Sequence, residues 1–186
     1  MTHRARRAGG FLGRAGITLA ALALTAAAPA SAGKAHQHGV AQLDIGVDPG
    51  RVTLLLEMPM DSLVGFERAP RNDAERAQVE DALQRLRSAA TLFRIDTTAQ
   101  CTPGTVVLES AVLGLGTTAE ESKDGHADVQ ASVEFNCKNG TKAGFVELGL
   151  FEAFARLQRV EVQTATPRGQ MKATLRRPVS RVPLVR

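Results

Sequence analysis

The sequence predicts an α+β protein of largely antiparallel sheets with two helices, and three observations carry that expectation. Several short runs alternate apolar and polar residues, the signature of half-buried strands. One stretch, residues 73–90, repeats apolar residues at helical spacing. Turn residues such as Asp48-Pro49-Gly50 separate neighbouring strand-like runs, which favours hairpins over crossovers.

Before the first strand lies a leader. Arg4, Arg6, Arg7 and Arg14 stand in a segment without acids, an apolar Ala/Leu-rich stretch runs from Ile17 to Ala28, and Ala30-Ser31-Ala32 supplies small residues for cleavage. This order reads as a secretory signal peptide over residues 1–32, too short and Ala-rich for a stable membrane span. Its removal takes the 186 residues to 154 and the 23 bases to 19, level with the 19 acids. The high pI of about 9.6 therefore belongs largely to the leader and is no argument for a nucleic-acid partner. Without Trp or Tyr there are also few platforms on which bases could stack. Residues 33–186 are expected to form one domain, with no transmembrane segment in the mature chain and the periplasm as its compartment.

In the mature chain, Leu43, Ile45 and Val47 alternate with polar residues. Val52, Leu54, Leu56 and Met58 follow across the Asp-Pro-Gly turn, so an antiparallel hairpin is expected. Met58-Pro59-Met60-Asp61 ends it, and an irregular connection to Pro70 follows. Asn72 with Glu75 has capping-box spacing, and Val79, Leu83, Leu86 and Ala90 mark the buried stripe of a helix. Short strands are expected near Leu92–Ile95 and over Thr105–Leu113, separated by Thr102-Pro103-Gly104. Residues 114–125 read as a polar loop. Ala127, Val129, Ala131, Val133, Phe135 and Cys137 then share one face of the clearest strand, with His126, Asp128 and Gln130 on the other. Phe145, Leu148, Phe151, Phe154 and Leu157 fit a shorter helix, and Val160–Thr166 with Met171–Arg176 a final hairpin. Residues 38–47 and 126–135 align with their Gln residues and apolar positions in phase, so two related ββαββ halves, about 36–113 and 126–178, are an additional expectation.

Cys101 and Cys137 are the only thiols, and an even pair in an exported chain points to a disulfide. Metal-binding thiols usually come in closer pairs. The mature chain holds three histidines: His36, His38 and His126. Residues i and i+2 of an extended segment project to one side, so His36 and His38 can reach one ion. Three imidazoles with a carboxylate or water make a typical Zn(II) shell, and Asp128 or Glu67 are the candidate oxygen donors. Below about pH 6.5, the ordinary imidazole pKa, such binding should weaken. Nucleotide-loop, Gly-x-Ser-x-Gly and His-Glu-x-x-His motifs are all missing, so an enzyme is not expected. From Arg168 to Arg186 there are six bases and no acid, read as a solvated basic face in preference to a site for anionic lipid.

The segments His36-Gln-His38-Gly-Val-Ala-Gln-Leu43 and Glu57-Met-Pro-Met-Asp-Ser-Leu-Val-Gly-Phe-Glu67, the helix, and His126 through Cys137 together resemble the ZrgA-like family of zinc-regulated periplasmic proteins. The resemblance covers nearly the whole mature chain. It implies a zinc-binding protein that holds or delivers Zn(II) and assists zinc uptake, with His36, His38 and His126 as ligands and a zinc transporter or envelope protein as partner. The chain departs from the family pattern twice. Its central loop, residues 116–125, has no His, and Arg68 stands where the family has a further His after Gly-Phe-Glu. These departures imply one fixed site in place of multi-ion capacity. Two other classes compete with this reading: a non-metal envelope scaffold, and a hydrolase using bound Zn(II) with Glu67 as general base.

Overall fold

Strand alternation translates directly into a sheet with one apolar face. The computed structural model describes residues 37–116 and 127–184, all within one compact unit. The first hairpin joins β1 (Val40–Asp48) and β2 (Arg51–Pro59), antiparallel with Asp48 opposite Arg51 across the expected turn. β5 (Asp128–Cys137) lies against the other side of β2, and β4 (Cys101–Glu109) against β5. On the far side of β1 runs β7 (Arg159–Thr166), parallel to it, followed by its hairpin partner β8 (Gly169–Arg176). The six-stranded order is β4-β5-β2-β1-β7-β8. The sheet is therefore mixed: β1 and β7 pair in parallel, which the largely antiparallel expectation did not contain.

A second, three-stranded sheet sets β6 (Phe145–Leu148) between β3 (Phe93–Ile95) and β9 (Arg181–Pro183). Four helices accompany the sheets among the described residues, where two were expected: α1 (Met60–Val64), α2 (Asp73–Arg87), α3 (Ala89–Leu92) and α4 (Leu150–Ala153). The three additional or shortened ones are a single turn each. The apolar run from Phe145 to Leu157 was expected to be one helix, but Gly149 divides it. Gly149 lies where an added Cβ would meet the Thr91 carbonyl at 2.5 Å, so strand β6 and the turn of α4 meet on either side of a close backbone approach. The segment after Pro59, expected to be irregular, holds α1. Thr102-Pro103-Gly104, expected to separate strands, lies inside β4, where the register slips between Pro103 and Val106.

Most of the predicted inward residues are buried; Ala90 is exposed, because α2 stops at Arg87 with Ser88 as its cap and the next turn, α3, buries Ala89 instead. Leu43, Ile45, Val52, Leu54, Leu56, Val133 and Val160 of the large sheet join Val79, Leu83 and Leu86 of α2 and Phe93, Val146, Leu148 and Val182 of the small sheet in one cluster. Asn72 caps α2 by accepting the Glu75 N–H at 2.9 Å, as its spacing predicts. The reciprocal bond of a capping box is replaced: the Glu75 carboxylate accepts the Arg71 N–H and a two-pronged contact from Arg68 at 2.7 and 2.8 Å. Those donors, the Arg68 fork foremost, hold Glu75 down from its ordinary 4.5 to about 2. Asp96 joins the small sheet's strands by accepting the Thr98 and Gly144 N–H groups, which also lower its pKa.

The sheet order gives the proposed repeat no support. In the alignment of the halves β2 corresponds to β6, yet β2 is central in the large sheet and β6 belongs to the small one. The leader, residues 1–32, lies outside the described residues.

Candidate metal centre

His38 enters the fold through a tightly held turn. Gly39 has φ +75°, the left-handed region that a side chain resists, and it bends the chain into β1. The turn closes with the Val40 N–H donating to the Gln37 carbonyl at 3.0 Å. The buried Gly39 N–H donates to Ser62 Oγ at 3.0 Å, which fastens the turn to α1. The Gly39 carbonyl accepts from Gln158 and Arg159 at 2.8 and 2.9 Å, which fastens it to the start of β7. The histidine backbone is thus fixed on both sides while its side chain stays 61% exposed.

α1 has to be short. Proline precedes it, and Gly65, at φ +88°, ends it with its N–H on the Asp61 carbonyl. The chain then turns back through Phe66 and brings Glu67 to the imidazole. His38 Nε2 lies 3.1 Å from Glu67 Oε1, and Nδ1 lies 3.9 Å from Asp61 Oδ2. Two carboxylates therefore flank one ring from opposite edges. Asp61 was not among the residues singled out from the sequence. Its signal was its place in the first turn after Pro59, where a carboxylate projects back over the helix start.

Arg68 does not bring its charge to this ring. Its guanidinium is taken up by Glu75 and lies 4.9 Å from the centroid of Phe66. Glu75 raises the Arg68 pKa still further, so the cation is permanent but paired. Asp128 opens β5 opposite Pro59, and its carbonyl accepts the Ser110 hydroxyl at 2.7 Å. One residue earlier, the Ala127 carbonyl accepts the Met60 N–H at 2.8 Å, so the start of β5 meets the start of α1.

Of the expected ligands, His38 and Glu67 are brought together. His36 and His126 lie outside the described residues. Among the described residues no group of three His, Cys, Asp or Glu converges on one point. The reason is visible at His38, because the two imidazole nitrogens point away from each other and Asp61 and Glu67 occupy opposite edges of the ring. A groove of about 780 Å³ lies elsewhere, on the polar face of the six-stranded sheet between Asp44, Leu55, Glu134 and Lys172, and no His or Cys lines it.

Cys101 and Cys137 are directly opposed in the β4–β5 register and form the expected disulfide. It ties the outermost strand to its neighbour just where the Pro103 irregularity interrupts the ladder. No helix of the described residues is long and apolar enough to cross a membrane.

Comparison with curated proteins finds no match. A family model described as ZrgA family zinc uptake protein matches residues 35–184, a span that includes both sheets and the His38 turn. The chain belongs to the ZrgA family of zinc uptake proteins.

Proposed function

We propose that this protein holds one Zn(II) ion in the periplasm and passes it on for uptake, without catalysing a reaction. The observation that carries the reading is family membership over 35–184, which includes the turn that presents His38. His36, His38 and His126 are the proposed imidazole ligands. Two hydrogen bonds favour the approach of His38 and His126: the Gly39 N–H donates to Ser62 Oγ and the Met60 N–H to the Ala127 carbonyl, so the residues next to these histidines flank the same short helix.

Glu67 is the better choice for the fourth donor. Zinc bonds to nitrogen and oxygen of about 2.0–2.2 Å place two ligands of a tetrahedral shell roughly 3.3 Å apart. The His38 Nε2 to Glu67 Oε1 separation is 3.1 Å, so a zinc ion could take both as ligands with little movement of either group. Asp61 Oδ2 stands 3.9 Å from the other ring nitrogen, and closing that gap would let it orient the imidazole as carboxylates commonly do behind metal-bound histidines. A site completed by side chains from separate segments, with one ligand 61% exposed, suits exchange of the ion with a partner such as a zinc transporter. The Arg-rich leader and the disulfide support export to an oxidising compartment.

Titration calorimetry of the chelator-stripped mature protein with zinc tests the reading, beside the triple variant His36→Ala, His38→Ala, His126→Ala. One equivalent is expected in the native protein and none in the variant, with circular dichroism confirming that both are folded. A native protein that takes up no zinc would replace this function with the envelope-scaffold reading.

A further inference from the structure

The two outer edges of the six-stranded sheet are unlike. β4 is a poor template for another strand: Pro103 has no N–H, its register slips before Val106, and Cys101 is bound to Cys137. β8 has none of these protections. It runs eight residues without proline and, among the described residues, pairs only with β7. Thr166 and Gly169 close a two-residue turn, the position of a hydrogen-bonded pair in such hairpins, so alternate residues from Gln170 onward aim their N–H and C=O away from β7. The backbone groups of Gln170, Lys172 and Thr174 face outward in this way. At Arg176 only the N–H remains, because its carbonyl accepts the Val179 N–H at 2.8 Å.

The side chains along this edge define what can lie there. Lys172 and Arg176 are exposed on the polar face of the sheet, and among the described residues no carboxylate pairs with either. They stand four residues apart, about 13 Å along a strand. On the opposite face Met171 and Ala173 are half-buried and present a partial apolar strip. A second copy of this chain fits poorly, since antiparallel β8–β8 pairing in any register gathers two Lys and two Arg on one face, and like charges opposed across strands destabilise the pair.

We propose that the edge of β8 takes up an extended acidic segment of another protein as a seventh strand. Its acidic residues would recur four apart, facing Lys172 and Arg176. Small apolar residues would alternate with them and cover Met171 and Ala173. Backbone bonds would supply the affinity and the paired charges the register.

Fluorescence anisotropy of the mature protein with a labelled seven-residue peptide, Glu-Val-Thr-Val-Glu-Val-Thr, tests this. Saturable binding is expected. It should weaken about tenfold in the double variant Lys172→Glu, Arg176→Glu, as attraction becomes repulsion. Thr174→Pro, which removes one outward donor at an edge position that tolerates proline, should also weaken binding, with its melting curve recorded to establish folding. Independently of any protein variant, the same peptide N-methylated at alternate amides should not bind. Equal binding of the N-methylated peptide, equal binding of a peptide with Lys in place of Glu, no binding of the acidic peptide, or a concentration-dependent dimer by sedimentation that resists it would each overturn the proposal.

Discussion

Ser62→Ala removes a single oxygen, and the structure fixes what that oxygen does. Ser62 is fully buried in α1, and its Oγ accepts the Gly39 N–H at 3.0 Å. Alanine leaves that buried donor with no acceptor in its place. Stranding a buried backbone N–H costs about 1–3 kcal/mol, whereas the void left by one hydroxyl is small. For a domain of this size each kcal/mol lowers Tm by roughly 2–4 °C, so a fall between about 2 and 12 °C is expected. Urea unfolding followed by circular dichroism reads the same loss as a lower midpoint at unchanged slope. The turn that carries His38 would also be released from α1, so zinc affinity should fall together with stability. An unfolding free energy unchanged to within about 0.5 kcal/mol would refute the reasoning, since surface-type effects alone are of that size.

Four further outcomes are expected. Replacing Cys101 and Cys137 by Ala should cost roughly 3–4 kcal/mol in the chain-entropy estimate for a 36-residue separation, read by denaturant unfolding. Leu54→Ala, at the buried centre of β2, should cost about 2–5 kcal/mol in the same assay. Gly65→Ala should destabilise the fold for two reasons, its φ of +88° and a Cβ only 2.8 Å from the Arg156 guanidinium. Adding Arg156→Ala should recover only the second part, so a double-mutant cycle must show partial rescue. Glu75, with its pKa lowered from 4.5 to about 2, contributes stability that is complete above pH 4.5 and is lost as the pH falls toward 2. Glu75→Gln should therefore flatten the stability–pH curve in that window and leave its shape above it unchanged.

Local patterns in the sequence carry local structure well. The β1–β2 hairpin, the Asn72-capped α2, the alternation of β5 and the β7–β8 hairpin each rest on residues close in sequence, and each forms where its pattern predicts, α2 ending at Arg87 short of the expected residue 90. The failures have a shared cause. Phe145, Leu148 and Phe151 fit a helical spacing of three, but Val146 and Leu148 are the pair that β6 buries when it lies between β3 and β9. Nothing near residue 145 announces partners at 93–95 and 181–183. The parallel pairing of β1 with β7 is likewise a contact between residues more than 100 positions apart. At the site, His38 and Glu67 were legible as types that bind metal, but their 3.1 Å approach depends on α1, whose single turn lacks the length to show a periodic pattern. Arg68 follows Glu67 directly in the sequence. Its tertiary partner, Glu75, turns it away.

Anomalous diffraction at the zinc edge, from crystals of the mature protein grown with one equivalent of zinc, tests the central claim most directly. A single strong peak is expected about 2.0–2.1 Å from His38 Nε2, with Glu67 in the same shell and the His36 and His126 imidazoles completing it. A peak confined to other residues, with His38 Nε2 still 3.1 Å from Glu67 Oε1, would contradict the proposed site.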